Sequence, residues 1–533
     1  ILLQKHEIEE NPFHREILAN LPRVLSLIDS DETSQSYGFA DRYFWAWGLI
    51  DFANATFQGF ANGLARLWVN GLWPYPTEEE VFQERIHSLF LGAKKLTRKN
   101  GSLEEAFPNE GSYCVTALVA YDLLVAYDLL KEIIDENRKE RWLQIIKPLV
   151  GYLTKADENH AFVSNHLATA SAALFRWNLV WGDDPKAKEK GELLLHRILE
   201  NQSSEGWFME YQGADPGYQS LCMNYLADIH LHCSGFNLSE PLRKSVQFLC
   251  HFAHPDGSFG GHYGSRATRF YYPGGLFNLS DSIPEASLLS EFMMRSIIER
   301  KVVSLSCMDE PNLSPMFNSY AWAASKFNGE KPNFSLSDGI MLPCQERNHA
   351  RTDFPDAGLV IDRGSEHYSI IGYKMGGVVQ HFVKDELKIL DTGVVFESPN
   401  GSLGSSQFYQ DNQVPEEDSS KIVITSQIAE MPKTLSTPFR FLILRILCLT
   451  VFRSSKLREW TKRILVRRLI TKPKLWPVWN SREITLGKNL HFQDKHEVPN
   501  GFKRCWLNAP FVSVHMASKG YWQINDERSK NDP

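Results

Sequence analysis

Apolar residues recur at three- and four-residue steps over most of the first 300 residues of the chain. This period places them on one face of an α-helix, and the segment from Ser112 to Asp135 is a clear example. Ser112 is suited to cap that helix, because a serine hydroxyl accepts a hydrogen bond from a backbone N–H of the first turn. The same pattern predicts further helices at about 137–155, 160–182, 186–202, 217–234, 239–253 and 282–299.

Amphipathic helices in series can bury their apolar faces only against one another, so they must stack or close around a common core. Clusters of Gly, Pro and Asn separate the helical segments, as expected for connections between neighbouring helices. The sequence therefore predicts an incomplete α/α toroid over residues 1–340, with a helical solenoid as the alternative.

After Asp338 the pattern changes to an alternation of apolar and polar residues. Short β-branched runs bounded by Gly, Asp, Asn and Pro are typical of antiparallel strands. Such runs occur at 368–373, 377–383, 387–390 and 421–425. We therefore predict an antiparallel β-sheet domain of the sandwich type over residues 341–533, with the domain boundary near 330–350.

A basic segment interrupts the strand pattern between Phe439 and Leu475. It contains eleven basic residues and a single acid, Glu459, among large apolar side chains. This composition predicts an amphipathic helical insertion at about 435–475, as a hairpin that turns near Ser454 and Ser455. Two interpretations fit it: peripheral contact with an anionic membrane or a protein partner, or packing on the acidic helical domain. The segment is too short to span a bilayer.

The formal net charge of −7 gives the chain no electrostatic reason to bind nucleic acid. Its eight cysteines form no CxxC pair, so we expect buried thiols, no metal site and no cofactor. The aromatic content of 12% suits a carbohydrate site as well as an apolar core. No signal-like apolar segment follows Ile1, which fits a bacterial periplasmic protein trimmed of its export signal or a protein on the cytoplasmic side of the membrane.

The first candidate for chemistry is the pair Asn165-His166, at the start of an Ala- and Leu-rich helix. The pair sets an amide donor beside a titratable imidazole, which can grip a carboxylate while a proton moves. The alternative interpretation is a capping asparagine and a core histidine. Phosphate-binding glycine motifs, HExxH and the nucleophile elbow are absent from the sequence.

The second candidate is a turn rich in glycine that concentrates Glu210, Tyr211, Asp215 and Tyr218 before a predicted helix. A phenol at such a turn can give and take a proton. The carboxylates and Tyr211 are candidate substrate-binding residues. The alternative is an aromatic turn that joins two helices.

The third candidate is the glycine-rich loop that carries His262, Tyr263 and Arg266. Several glycines indicate a close approach of the backbone, and a guanidinium is suited to bidentate binding of a carboxylate or sulfate. The alternative is a loop held by its own arginine. Asn109 and Glu110 form a weaker candidate pair for substrate binding.

The sequence resembles the heparinase II/III-like group of polysaccharide lyases, which includes alginate lyases. The resemblance rests on Asn165-His166 followed by Asp215-Pro-Gly-Tyr218, within a predicted helical domain that precedes a β-domain. The resemblance implies β-elimination on an acidic, uronate-containing polysaccharide. It also implies that Asn165 helps to neutralise the uronate carboxylate. His166 would act as the base or share that neutralisation, and Tyr218 would protonate the leaving oxygen or do both jobs.

The resemblance is incomplete in two places. The related lyases place a further histidine before an Asp-x-Gly segment of the β-domain, whereas residues 374–379, ahead of Asp391-Thr-Gly393, contain none. Thr169 stands where the group often has a charged residue. A uronate C5-epimerase-like enzyme and a non-catalytic glycan-binding scaffold of exopolysaccharide assembly, docked through 439–475, are therefore the alternative functions.

Overall fold

The computed structural model describes residues 11–158, 161–233, 235–327, 341–411, 415–418, 420–431, 437–466 and 472–507. Helices occupy the described chain up to Lys326, and strands occupy it from Ala350 onward, except for two helices inserted before the last three strands. The predicted toroid followed by a β-sandwich is confirmed. The predicted helices begin and end within a few residues of the observed ones, and Ser112 caps its helix as expected, with its Oγ accepting from the Val115 N–H at 3.3 Å.

Fifteen helices are described, and the first thirteen form the helical domain. They are α1 (Pro12–Ser26), α2 (Arg42–Trp45), α3 (Phe60–Val69), α4 (Glu79–Leu96), α5 (Tyr113–Leu130), α6 (Glu136–Leu153), α7 (Ser164–Trp181), α8 (Pro185–Glu200), α9 (Pro216–His232), α10 (Ser239–Cys250), α11 (Pro273–Leu279), α12 (Pro284–Ile298) and α13 (Glu310–Lys326).

Alternate helices form a closed inner ring. Helices α3, α5, α7, α9, α11 and α13 each pack against the next, and α13 packs against α3. Helices α1, α4, α6, α8, α10 and α12 pack outside them. The sequence sets this division, because α5 buries 15 of its 18 residues whereas the outer helix α8 buries 5 of 16.

Within the described chain, α5 is also the one helix long and apolar enough to span a bilayer, and 83% of it is buried in the protein.

The strands form two antiparallel sheets. The first has the order β1-β2-β3-β4-β5, and the second has the order β11-β10-β9-β7-β6-β12, with β8 paired to β9. The strands are β1 (Ala350–Phe354), β2 (Leu359–Arg363), β3 (His367–Gly372), β4 (Val378–Val383), β5 (Glu386–Asp391), β6 (Val395–Glu397), β7 (Leu403–Ser405), β8 (Glu416–Asp418), β9 (Lys421–Glu430), β10 (Leu475–Thr485), β11 (His491–Glu497) and β12 (Lys503–Cys505).

The first sheet lies between the second sheet and the helices. Ile371 and Val379 pack into a cluster with Ile422 and Ile484 of the second sheet. Their neighbours on the opposite faces, such as Ile370, join the large core of the helical domain. This follows from the two-residue period of a strand, which sends successive side chains to opposite faces.

The basic insertion forms a helical hairpin, which we call the basic hairpin (residues 437–466). It consists of α14 (Pro438–Leu449), a 3₁₀ turn (Val451–Arg453) and α15 (Ser455–Val466), with Ser454 between the turn and α15. Thr437 caps α14, accepting from the Arg440 N–H at 3.3 Å. The flanking residues 432–436 and 467–471, with Arg467 and Arg468 of the predicted segment, lie outside the described residues.

The basic hairpin packs on the helical domain. Arg445 forms an ion pair with Asp51, with Nε and Oδ2 2.8 Å apart. Asn109 Nδ2 donates to the Cys448 carbonyl at 2.9 Å. The Phe452 ring lies 5.5 Å from the Phe107 ring, centroid to centroid. These contacts fix the position of the hairpin over one end of the inner ring.

Candidate active site

A cavity of about 540 Å³ lies at the end of the inner ring where its six helices begin. Each inner helix contributes residues from its first turn or from the segment just before it. They are Thr56 before α3, Ser112, Tyr113 and Cys114 at α5, Asn165 and His166 at α7, Tyr218 at α9, Phe270 and Tyr272 at α11, and Pro311 and Asn312 at α13. The N-terminal ends of six helices therefore surround one space, and the partial positive charge of a helix start favours a bound anion.

His166 is held by a carboxylate. Its Nδ1 lies 2.7 Å from Oε2 of Glu158, and both side chains line the cavity. Because an ionised carboxylate can only accept, Nδ1 carries the proton of a neutral ring, and Nε2 is left as the acceptor. This arrangement orients the imidazole for proton transfer, as the carboxylate does in a hydrolase triad.

Asn165 is held by Glu210. The Asn165 backbone N–H and its Nδ2 donate to the two carboxylate oxygens of Glu210, at 3.1 and 2.9 Å. Burial raises the pKa of Glu210 to about 7, against the opposing effect of these two hydrogen bonds. A side-chain amide has two N–H donors, so this arrangement uses one and fixes the direction of the other.

Tyr218 is placed by the cap of α9. Asp215 Oδ1 accepts from the Tyr218 N–H at 3.0 Å, and Asp215 Oδ2 accepts from the Arg266 N–H at 3.0 Å. Asp215 thus ties the start of α9 to the glycine-rich loop. The Tyr218 ring packs edge-on against Phe270, with centroids 5.2 Å apart, and the tyrosine is 9% exposed.

Arg266 lies against two tyrosines of the site. Its guanidinium carbon is 4.4 Å from the Tyr211 ring centroid and 4.9 Å from the Tyr218 ring centroid. Burial opposes its charge, but Tyr218, Tyr211, Glu210 and Asp215 outweigh burial and raise the pKa of Arg266. The buried arginine therefore stays charged directly beside the Tyr218 ring, where a positive charge stabilises negative charge on the phenol.

Tyr211 adopts a left-handed backbone conformation with a φ of 61°. This region is strained for a bulky side chain, and such strain is concentrated at functional sites. Its amide donates to the Phe162 carbonyl at 3.0 Å, and its ring lines the cavity. Burial raises the pKa of Tyr211, so its phenol is neutral over the physiological range.

Glu105 and Glu110 form an acidic wall of the cavity. Burial, together with the charge of Glu110, raises the pKa of Glu105 to about 7. Glu110 Oε2 accepts from the Glu105 and Ala106 N–H groups at 3.1 and 2.7 Å. With a pKa near 7, the Glu105 carboxyl is only partly ionised at neutral pH.

The basic hairpin closes the cavity from above. Leu444, Phe452, Arg458, Thr461 and Lys462 line it. Lys462 Nζ lies 3.4 Å from Oε1 of Glu110. The hairpin thus places the cations Arg458 and Lys462 beside the acidic wall formed by Glu105 and Glu110.

A second cavity of about 720 Å³ adjoins the first, and Arg458 lines both. Basic side chains from α4, the segment after it and the hairpin surround it. They are Lys95, Arg98, Lys99, Arg453 and Arg458, with the acids Asp51 and Glu104. The lining of the second cavity is mainly cationic and is therefore suited to an anionic group.

No family model and no curated protein sequence matches the chain. Its structure is similar to heparinase III, with 11% identity, a TM-score of 0.40, and coverage of 76% of this chain and 75% of that one. It is also similar to a Paenibacillus xanthan lyase, with 10% identity and a TM-score of 0.47, covering 80% of this chain and 46% of that one. A third similar structure is the Streptomyces coelicolor A3 chondroitin AC lyase in complex with chondroitin sulphate. It has 9% identity and a TM-score of 0.47, covering 81% of this chain and 67% of that one.

The predicted site residues divide into three groups by position. Asn165, His166, Tyr218, Tyr211 and Glu110 line the cavity. The second group lies behind the cavity wall and supports it through the contacts given above; it comprises Glu210, Asp215 and Arg266.

The third group, His262, Tyr263 and Asn109, lies away from the cavity. The Tyr263 hydroxyl lies 2.8 Å from Nε2 of His254, and the His262 carbonyl accepts from Gln407 Nε2 at 2.9 Å, so this part of the loop packs between the helices and the sheets. Asn109 anchors the basic hairpin instead. That these three bind substrate stays a prediction.

Glu158, Glu105, Tyr113 and Tyr152 line the cavity but are not among the predicted site residues, and Lys462 was predicted only as part of the basic segment. Glu105 and Glu158 lie in the segments that lead into α5 and α7, and Tyr113 is the first residue of α5. Polar residues in the segments that lead into alternate helices are the sequence signal for the two carboxylates. Within the described ranges, no group of three His, Cys, Asp or Glu side chains is arranged to hold a metal ion.

Proposed function

We propose that this protein is a polysaccharide lyase that cleaves an acidic, uronate-containing chain by β-elimination. The observation that carries the proposal is that the pair Asn165-His166 and the distant Tyr218 line one cavity. These are an amide, an imidazole and a phenol, which supply the charge masking, the base and the acid that the reaction requires.

The first requirement is to mask the uronate carboxylate, because its charge opposes removal of the neighbouring C5 proton. Asn165 offers the amide N–H that Glu210 does not use. Lys462 and the converging helix ends add positive charge. The negative charge that develops on the carboxylate in the transition state is thereby stabilised.

The base is the Nε2 of His166, whose other nitrogen donates to Glu158. It takes the C5 proton, and the electron pair of that C–H bond forms the C4–C5 double bond. The C4–O bond breaks, and its electron pair leaves with the glycosidic oxygen. The Tyr218 hydroxyl protonates that oxygen, and Arg266 beside the ring stabilises the resulting phenolate until the proton returns.

The basic second cavity supports a polymeric rather than a monomeric substrate. It adjoins the first cavity through Arg458 and contains five cationic side chains against two acids. A uronate chain that passes through both cavities would place one residue at His166 and further carboxylates or sulfates among these cations.

The test is to incubate the purified full chain with a panel of alginate, glucuronan, heparan sulfate, chondroitin and xanthan. A lyase product absorbs in the near ultraviolet through its new double bond. We expect one substrate to give this absorbance, and His166→Ala and Tyr218→Phe to reduce the rate at least 100-fold. The matched controls are His196→Ala and Tyr75→Phe, both exposed, which should keep the wild-type rate.

An epimerase is the second candidate, because His166 and Tyr218 are two proton carriers in one cavity and could act on opposite faces of C5. Reaction in D₂O distinguishes the two, since an epimerase introduces deuterium at C5 without the new absorbance. If neither signal appears on any substrate, and His166→Ala leaves glycan binding intact, the protein is a binding scaffold and the catalytic proposal is wrong.

A further inference from the structure

The outer surface of α14 has an unusual composition for a surface helix. Six of its twelve residues are large apolar side chains with exposed fractions between 43% and 69%; they are Phe439, Phe441, Leu442, Ile443, Ile446 and Leu449. Leu457 and Trp460 of α15 are exposed by 49% and 58%. A surface helix normally presents polar residues to water, and a contiguous apolar patch marks an interaction site.

The inner surface of the same hairpin already has its own contacts. Cys448, Phe452 and Arg458 are buried against the helical domain, and Arg445 pairs with Asp51. The exposed apolar face is therefore not the face that holds the hairpin in place, and packing on the helical domain does not account for it.

Charge identifies the partner. The described hairpin carries seven basic residues and one acid, a formal charge of +6, whereas the whole chain carries −7. The rest of the chain therefore carries −13. Arg453, Lys456 and Arg463 of the hairpin are exposed. A short helical element with an apolar face, flanking cations and an exposed tryptophan has the composition that binds in the interface of an anionic bilayer.

We propose that the basic hairpin docks this protein on an anionic membrane surface, with the apolar face of α14 and Trp460 inserted among the lipid headgroups. The opposite side of the hairpin lines the cavity, so docking holds the cavity next to the bilayer with the hairpin between them. The proposal does not depend on the chemistry of the cavity, and loss of lyase activity would leave it standing.

The test is co-sedimentation of the full chain with phosphatidylcholine vesicles, with and without an equal part of phosphatidylserine. We expect binding to the mixed vesicles, weak binding to phosphatidylcholine alone, and release at high salt, because exposed charges are screened. The double variant Leu442→Asp/Ile446→Asp should bind at least tenfold more weakly. Its matched control is Leu193→Asp, an exposed leucine on α8, which should bind like the wild type.

Two further variants test the contribution of the basic side chains separately from that of the apolar face. Lys456→Gln and Arg463→Gln should each weaken binding to the mixed vesicles about fivefold, as expected for one cation near an anionic surface. Lys188→Gln, exposed on α8, is the control. These positions are exposed, so unchanged thermal midpoints will show that the variants fold.

Three results would overturn the proposal. The first is the absence of binding to the mixed vesicles. The second is equal binding by Leu442→Asp/Ile446→Asp and the wild type. The third is that light scattering shows a dimer for the wild type and a monomer for the double variant, while neither binds vesicles. The apolar face would then be an interface between two copies.

Discussion

Glu158 and His166 are eight residues apart in the chain, and their carboxylate oxygen and Nδ1 meet at 2.7 Å in the wall of the cavity. Glu158 lies in the segment before α7, and His166 lies in the first turn of that helix. The carboxylate fixes both the orientation and the tautomer of the ring, so Nε2 is the nitrogen available to accept a proton.

Glu158→Gln should therefore lower kcat about 100-fold or more, with a small change in KM, because an amide can hold the ring in the wrong tautomer. The measurement is steady-state kinetics on whichever uronate polysaccharide the wild type cleaves. A merely structural role would lower the thermal midpoint and leave kcat per folded molecule unchanged, which would contradict this assignment. Glu189→Gln, exposed on α8, is the control.

Lys462 tests the contribution of the hairpin to the cavity. Lys462→Gln removes a cation that lies 3.4 Å from Glu110 and faces the substrate space. We expect KM for an acidic polysaccharide to rise about tenfold, the usual size of a lost hydrogen bond to a charged group. Lys456→Gln removes an exposed cation from the same helix and should leave KM for a soluble substrate unchanged. Equal KM values for the two variants would exclude Lys462 from substrate binding.

Periodicity located seven of the thirteen helices of the helical domain and four of the twelve described strands, because a half-buried helix or strand repeats its apolar residues at a fixed spacing. Asn165-His166 and Tyr218 could be found because each stands beside helix-start signals. The supporting carboxylate Glu158 could not, because its role depends on a contact that only the folded loop creates. The sequence marked 439–475 as basic and amphipathic but left open which side would face the protein.

The glycine-rich loop is a case that composition alone did not decide. Its composition suggested substrate binding, yet Tyr263 is 1% exposed and pairs with His254 against the first sheet. Glycines there permit close packing against the first sheet: a Cβ on Gly261 would approach Oε1 of Gln380 to 2.5 Å. Close approach to a ligand and close approach to another domain leave the same signature in sequence.

The raised pKa of Glu210 predicts that the stability of the protein depends on pH. The native state keeps a proton on this carboxyl up to pH about 7, whereas the unfolded chain loses it near its ordinary pKa of about 4.3. The native state therefore binds more protons between these values, and the free energy of unfolding falls as pH rises through them. The free energy of unfolding, measured in urea at pH 5 and pH 8, should fall over this range in both proteins. We expect the fall to be about 2–3 kcal/mol smaller in Glu210→Gln than in the wild type. Identical pH dependence in the two proteins would show that Glu210 is ionised throughout; Glu189→Gln should behave like the wild type.

The inner ring also contains a buried ion pair whose two partners can be removed separately or together. Arg176 Nε and Nη2 donate to the two carboxylate oxygens of Asp228 at 2.9 and 2.5 Å, and the side chains are 5% and 0% exposed. Removal of Arg176 leaves the buried Asp228 carboxylate with only the partly exposed His232, whose Nδ1 lies 3.2 Å away, so Arg176→Met should lower the free energy of unfolding by about 3–5 kcal/mol. The double variant Arg176→Met/Asp228→Leu removes both charges and should recover most of that loss, because well-packed apolar groups replace a buried pair at little cost. If the double variant is as unstable as the single one, the loss comes from packing of α7 against α9 and not from the unpaired carboxylate.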